Sequence, residues 1–156
     1  MKLALVMFLI LPAFAAAEPM APPSWTYSAE QLAVINQYGP PHHFVIVLLQ
    51  QGFARYESWY YFGTISRQYG FSNGKKTREA PMGFLINTRV TVVTPKQFTF
   101  TTTRANLGGQ FGPPGNVLPG LVPGVQQENL SYPAKGVSVT MRNGKIVAVA
   151  TFPPTQ

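Results

Sequence analysis

Between Tyr27 and Tyr38 the apolar positions recur at helical intervals. Leu32, Ile35 and Tyr38 fall on one stripe with Val34 beside it, the three-to-four spacing of a half-buried helix. Ser28 stands where an N-cap hydroxyl can accept a first-turn amide, and Gln31, three residues on, completes a capping box. Tyr27 is placed to staple against Leu32, while Gly39 followed by Pro40 and Pro41 halts the helix. The pattern predicts one helix over 28–38.

Past the prolines the period shortens to two. Phe44 to Leu49 is an unbroken apolar run rich in β-branched residues, the pattern of a strand covered on both faces. Tyr56 to Phe62 reads as a second strand, and Ile65 to Phe71 alternates strictly, with Ile65, Arg67, Tyr69 and Phe71 on one face. Asn73-Gly74 supplies a tight turn, since both residues tolerate positive φ. Residues 84–93 and 98–104 are two further strand candidates on either side of Pro95. A hairpin around Asn143-Gly144 sets Val137, Val139 and Met141 against Ile146, Ala148 and Ala150.

Ala105 to Gly136 is crowded with Gly and Pro and keeps neither period, so it is expected as one long loop. Apolar residues among its breakers, from Gly115 to Val125, imply that it lies against something, with its own sheet favoured over a partner. The turns "FSNGK" and "MRNGK" share a pattern that shared turn chemistry or an internal duplication can produce, the former being the simpler reading. The expected fold class is α+β: a single domain over 28–156, with one N-terminal helix packed on a mostly antiparallel sheet and a β-rich C-terminal half.

The first residues change the setting. Lys2, an apolar run from Leu3 to Leu11 and the small residues Ala15 to Ala17 form the pattern of a signal peptide. Cleavage is expected after Ala17, leaving a proline-rich lead over 18–27 and a periplasmic or secreted chain. The run is too short for a membrane span, which takes roughly 18 or more apolar residues. Cysteine is absent, so neither a disulfide nor a thioether lipid anchor is available and stability must come from burial.

Twelve Lys and Arg against five Glu give a formal net charge of +7. The excess is spread along the chain except at Lys75-Lys76-Thr77-Arg78. Outside the cytoplasm, such a charge suits acidic proteins, anionic lipid head groups or acidic glycans; nucleic acid is not an expected partner of an exported chain. Catalytic raw material is sparse. There is no Asp and the two histidines are adjacent, His42-His43, so on a strand they point to opposite faces and do not share a metal easily. Neither a nucleophile elbow nor a phosphate-cradling glycine loop is present. No catalytic residue, metal ligand or cofactor site is therefore assigned, and the chain is not expected to be an enzyme.

What the sequence does hold is rings. On one strand, Tyr56, Ser58, Tyr60 and Phe62 share a face and Glu57, Trp59 and Tyr61 share the other. One face must bury against the helix. The second either lies under another layer or leaves Trp59 and Tyr61 as a platform beside basic neighbours, suited to a sugar ring or a protein. The candidate contact residues are Trp59, Tyr61, Lys75, Lys76 and Arg78, the rings giving area and the cations attraction to an anionic partner.

Gly39-Pro40 after a helix, Trp59-Tyr60 in a strand and Phe71-Ser72-Asn73-Gly74-Lys75 at a strand end resemble the BamE (SmpA/OmlA) type of small outer-membrane assembly lipoprotein. The likeness spans 28–76, and the family's lipid-bearing cysteine is missing here. The resemblance implies helices packed on a three-stranded antiparallel sheet, acting by binding other envelope components. The expected function is a non-catalytic envelope binding or assembly module contacting a protein or an anionic lipid. The alternatives are a glycan- or peptidoglycan-binding module and, further off, a small hydrolase built on His42 or His43 with a glutamate.

Overall fold

The capping box forms as its spacing predicts. In the computed structural model, which describes residues 20–83 and 89–155, Ser28 Oγ accepts the Gln31 amide at 3.1 Å and Gln31 Oε1 accepts the Ser28 amide at 3.1 Å. The helix, α1, runs Ala29–Tyr38 and ends at Gly39, whose φ of 79° only glycine adopts without strain. Its buried stripe differs from the expected one. Gln31 and Val34 are buried and Ile35 and Tyr38 half-buried, whereas Leu32 faces outward. The reason is polar: the Gln31 amide donates to Glu57 at 2.8 Å, and this turns the helix so that its capping residue points inward. Tyr27 accordingly packs on Trp25 and Trp59 rather than stapling to Leu32.

Four strands follow: β1 (His43–Leu49), β2 (Ala54–Tyr61), β3 (Arg67–Ser72) and β4 (Lys75–Pro81). Then come a second helix, α2 (Arg104–Phe111), and four more strands, β5 (Asn116–Pro119), β6 (Gln127–Tyr132), β7 (Val137–Arg142) and β8 (Lys145–Thr151). All eight strands join one sheet in the order β4-β3-β2-β1-β8-β7-β6-β5, with every neighbouring pair antiparallel. Mostly antiparallel sheet with helix is thus the architecture, but with two α-helices among the described residues rather than one.

The plan α-β-β-β-β is laid down twice. Both helices carry a capping box, end in a glycine at φ 79° and run into Pro-Pro. Asn73-Gly74 joins β3 to β4 and Asn143-Gly144 joins β7 to β8, each residue at positive φ, with a bulge in the adjoining pair of strands both times. Each turn docks alike: the Asn73 amide donates to Arg55 O at 2.7 Å and the Asn143 amide to Gln126 O at 2.8 Å. The shared turn motif thus sits at the same place in two runs of the same element order.

Three expectations need correction. Ala105 to Gly136 is not a loop, since α2, β5 and β6 lie largely or wholly within it. Its helix buries only Leu107 fully, too little to show a period, and Gly108-Gly109 disguise it further. Residues 98–104 form no strand. Phe98, Phe100 and Thr102 are buried, but the carbonyls of Pro95 and Phe98 accept from the Arg55 guanidinium instead of from a neighbouring strand. The candidate strand 84–93 lies partly outside the described residues, and 89–93 is irregular. The expected signal peptide, 1–17, also lies outside them. Lys75–Pro81, for which the sequence pattern predicts no element, is a highly charged edge strand, where charge deters stray pairing.

The core lies on one side of the sheet. Phe44, Ile46 and Leu48, then Trp59, Tyr61, Tyr69 and Phe71, then Leu130, Val137, Val139, Met141, Ile146 and Val149 are buried there. They lie under α1, the segment carrying Val93, Phe98 and Phe100, and α2 with Leu107. Ring contacts run from Phe44 to Phe98 and from Phe98 through Phe111 to Tyr132. Both repeats thus share one hydrophobic layer.

Candidate binding surface

The aromatic strand has its faces the other way round from the expected platform. Trp59 and Tyr61 are fully buried. Trp59 Nε1 donates to Glu57 Oε2 at 2.9 Å, and Tyr61 donates its phenol proton to Gly39 O at 3.0 Å, while burial pushes that phenol's pKa up. Neither ring is a contact residue. Glu57 lies on the same buried face, its charge met by Arg55 Nε at 2.8 Å and by the Gln31 amide.

The basic cluster is split by the pleat. Lys75 and Arg78 pair in register with Ser72 and Gly70, and Lys76 with Phe71, so Lys75 and Arg78 lie toward one face and Lys76 toward the other. Lys76 Nζ pairs with Glu79 at 2.9 Å and its amide donates to Glu30. Lys75 and Arg78 make no ion pair among the described residues. The five predicted residues are therefore not brought together on one surface.

The surface that does emerge is the face of the sheet away from the helices. Register places Val45, Val47 and Leu49 of β1 on it, flanked by Tyr56, Ser58 and Tyr60 of β2 and by Ala148 and Ala150 of β8. Val47, Leu49 and Tyr56 are 38%, 48% and 46% exposed, so among the described residues nothing covers the middle of this face. The run Phe44 to Leu49, expected to be covered on both sides, is covered on one. Two hollows open here. One of about 830 Å³ lies over β1, β8 and β7 among Val47, Leu49, Thr140, Arg142, Lys145 and Ala148. Another of about 630 Å³ lies among His43, Val45, Tyr60, Phe62, Gln68 and Phe152.

Its charge is one-sided. Glu30 is on α1, while Glu57, Glu79 and Glu128 pair in register with Phe71, Tyr69 and Met141, all buried on the helix side. Every described carboxylate thus belongs to that side. Lys75, Arg78, Arg142 and Lys145 are on the open side by register, and among the described residues none of the four has an acidic partner.

The histidines serve the backbone. His42 Nδ1 accepts the Phe62 amide at 2.9 Å, and His43 Nε2 lies 2.9 Å from Arg89 O. Burial lowers both pKa values, with the Arg89 carbonyl partly opposing the shift at His43. A histidine whose folded pKa is depressed lends stability that is complete above its unfolded pKa, about 6.5, and fades as pH falls through the folded value. The melting temperature is expected to fall between about pH 7 and about pH 5, and His42→Asn, which keeps an acceptor for Phe62, should shrink that fall. An equal fall in both proteins would acquit His42.

No helix among the described residues is long and apolar enough to cross a membrane. No protein-family model, curated protein or solved structure matches this chain. The functional reading rests on the geometry.

Proposed function

We propose that the chain is an exported, non-catalytic binding module of the cell envelope that engages its partner through the open face of its sheet. One observation carries this: the central strand presents Val45, Val47 and Leu49 on an uncovered face, where a contiguous apolar surface marks an interaction site. The cations on the same face favour an acidic protein or an anionic lipid. The signal-like first residues and the likeness of 28–76 to an envelope assembly module support the location. The glycan alternative loses the Trp59 and Tyr61 platform on which it was built.

The test is photo-crosslinking in intact envelopes from a benzoylphenylalanine placed at Tyr56, on the open face, and separately at Asn36, on the outside of α1. Discrete protein or lipid adducts from position 56 alone are expected, on a chain whose mass begins at Glu18. Equal labelling from both positions, or adducts from Asn36 only, would overturn the reading.

A further inference from the structure

Of the two hollows on the open face, the larger combines features that specify an occupant. Its floor is aliphatic, from Val47, Leu49 and Ala148, and its rim carries Arg142, Lys145 and Gln127. Arg142 Nη2 bonds Gln127 Oε1 at 3.1 Å, which holds the guanidinium at the edge without neutralising it. No described carboxylate shares this face, so the two cations have no internal counter-charge to displace.

We infer that this hollow receives an acidic turn of a protein partner: a bulky apolar side chain on the aliphatic floor with a neighbouring Asp or Glu against Arg142 and Lys145. The inference rests on the open-face reading above and deepens it. Charge complementarity selects the acidic residue, because an anion entering here meets cations and no like charge. Shape selects protein over bilayer, because a recess of about 830 Å³ accepts a protrusion, whereas a membrane surface offers none and is gripped by residues that stand out. Amides at the rim, Gln127 among them, add donors and acceptors able to read a main chain.

The experiment selects a random peptide library displayed on phage against the purified chain lacking residues 1–17, then measures the enriched peptides in solution by fluorescence anisotropy. Enriched sequences should carry Asp or Glu beside a bulky apolar residue and bind more weakly as salt rises. Arg142→Glu with Lys145→Glu should weaken them at least about tenfold, and Val47→Arg should abolish binding, with melting temperatures held near the parent value. Peptides without acidic residues that survive the double reversal but not Val47→Arg would overturn the acidic turn and leave the open face standing. Peptides indifferent to both changes would overturn the two together. Should no peptide be enriched while phosphatidylglycerol vesicles bind and Arg142→Glu with Lys145→Glu releases them, the occupant is lipid and the inference fails.

Discussion

Arg55→Ala is expected to destabilise the fold by about 3–5 kcal/mol, because it strands a buried carboxylate. Arg55 and Glu57 have side chains 1% exposed and meet at 2.8 Å. Glu57 also accepts from Gln31 Nε2 at 2.8 Å and from Trp59 Nε1 at 2.9 Å. Arg55 in turn donates to the carbonyls of Pro95 and Phe98 and lies 3.7 Å from the Trp25 ring centroid. One guanidinium therefore ties the lead, α1, β2 and the segment around Phe98 together. Its loss leaves a buried negative charge uncompensated and the Phe98 carbonyl without its donor, while Pro95 O keeps the Phe98 amide. Replacing both partners, Arg55→Met with Glu57→Met, should cost far less than Arg55→Ala, because the desolvation penalty goes with the charges. Urea midpoints of the three variants decide it. A loss below about 1 kcal/mol for Arg55→Ala would place the pair in the class of exposed, screened bridges.

Trp59→Ala should cost about 3–5 kcal/mol as well, by opening a cavity in a packed layer. The indole touches Tyr27 and Phe71, at centroid distances of 5.8 and 4.6 Å. Trp59→Phe keeps most of the apolar contact but takes the donor from Glu57 Oε2, so an intermediate loss of about 1–3 kcal/mol is expected. The contrast with Tyr56, three residues earlier on β2 and on the opposite face, is the informative one. Tyr56→Ser should leave the urea midpoint almost unchanged while reducing envelope crosslinking from a benzoylphenylalanine moved to Leu49, and Trp59→Ala should lower the midpoint and spare that crosslinking. A Trp59→Ala protein of parental stability would mean that the ring faces a partner after all.

Local chemistry was legible in the sequence wherever a few adjacent residues settle it. The capping box at Ser28 and Gln31, the stop at Gly39 and the turns at Asn73-Gly74 and Asn143-Gly144 need only their own neighbours. The hairpin around Asn143-Gly144 set Met141 against Ile146 as expected, but the bulge next to Met141 places Val139 opposite Val149 and Val137 opposite Thr151, so Ala148 and Ala150 fall on the other face. What failed was non-local. The side of β2 that faces the helices depends on Gln31 reaching Glu57 across the fold, and a glutamate next to Trp59 reads as solvent-facing until its partners are known. α2 was hidden because one buried leucine satisfies it, and β6 because its inward residues begin with Glu128, which is met by Arg104 at 3.1 Å. The open face could have been found from one cue. An apolar run in a chain with too few helices to cover both sides of its sheet implies a bare side, and Val45, Val47 and Leu49 are the residues such a count exposes.

The seam of the sheet has a consequence for how the molecule comes into being. β1 pairs with β8, Val45 lying opposite Ala150, so the earliest strand is zipped to the latest across nearly the whole length of the chain. Such remote closure is slow, since the entropy of a large loop is surrendered before the contacts repay it. Until β8 docks on β1, the open face that straddles this junction, with Val45 and Val47 beside Ala150 and Ala148, is incomplete.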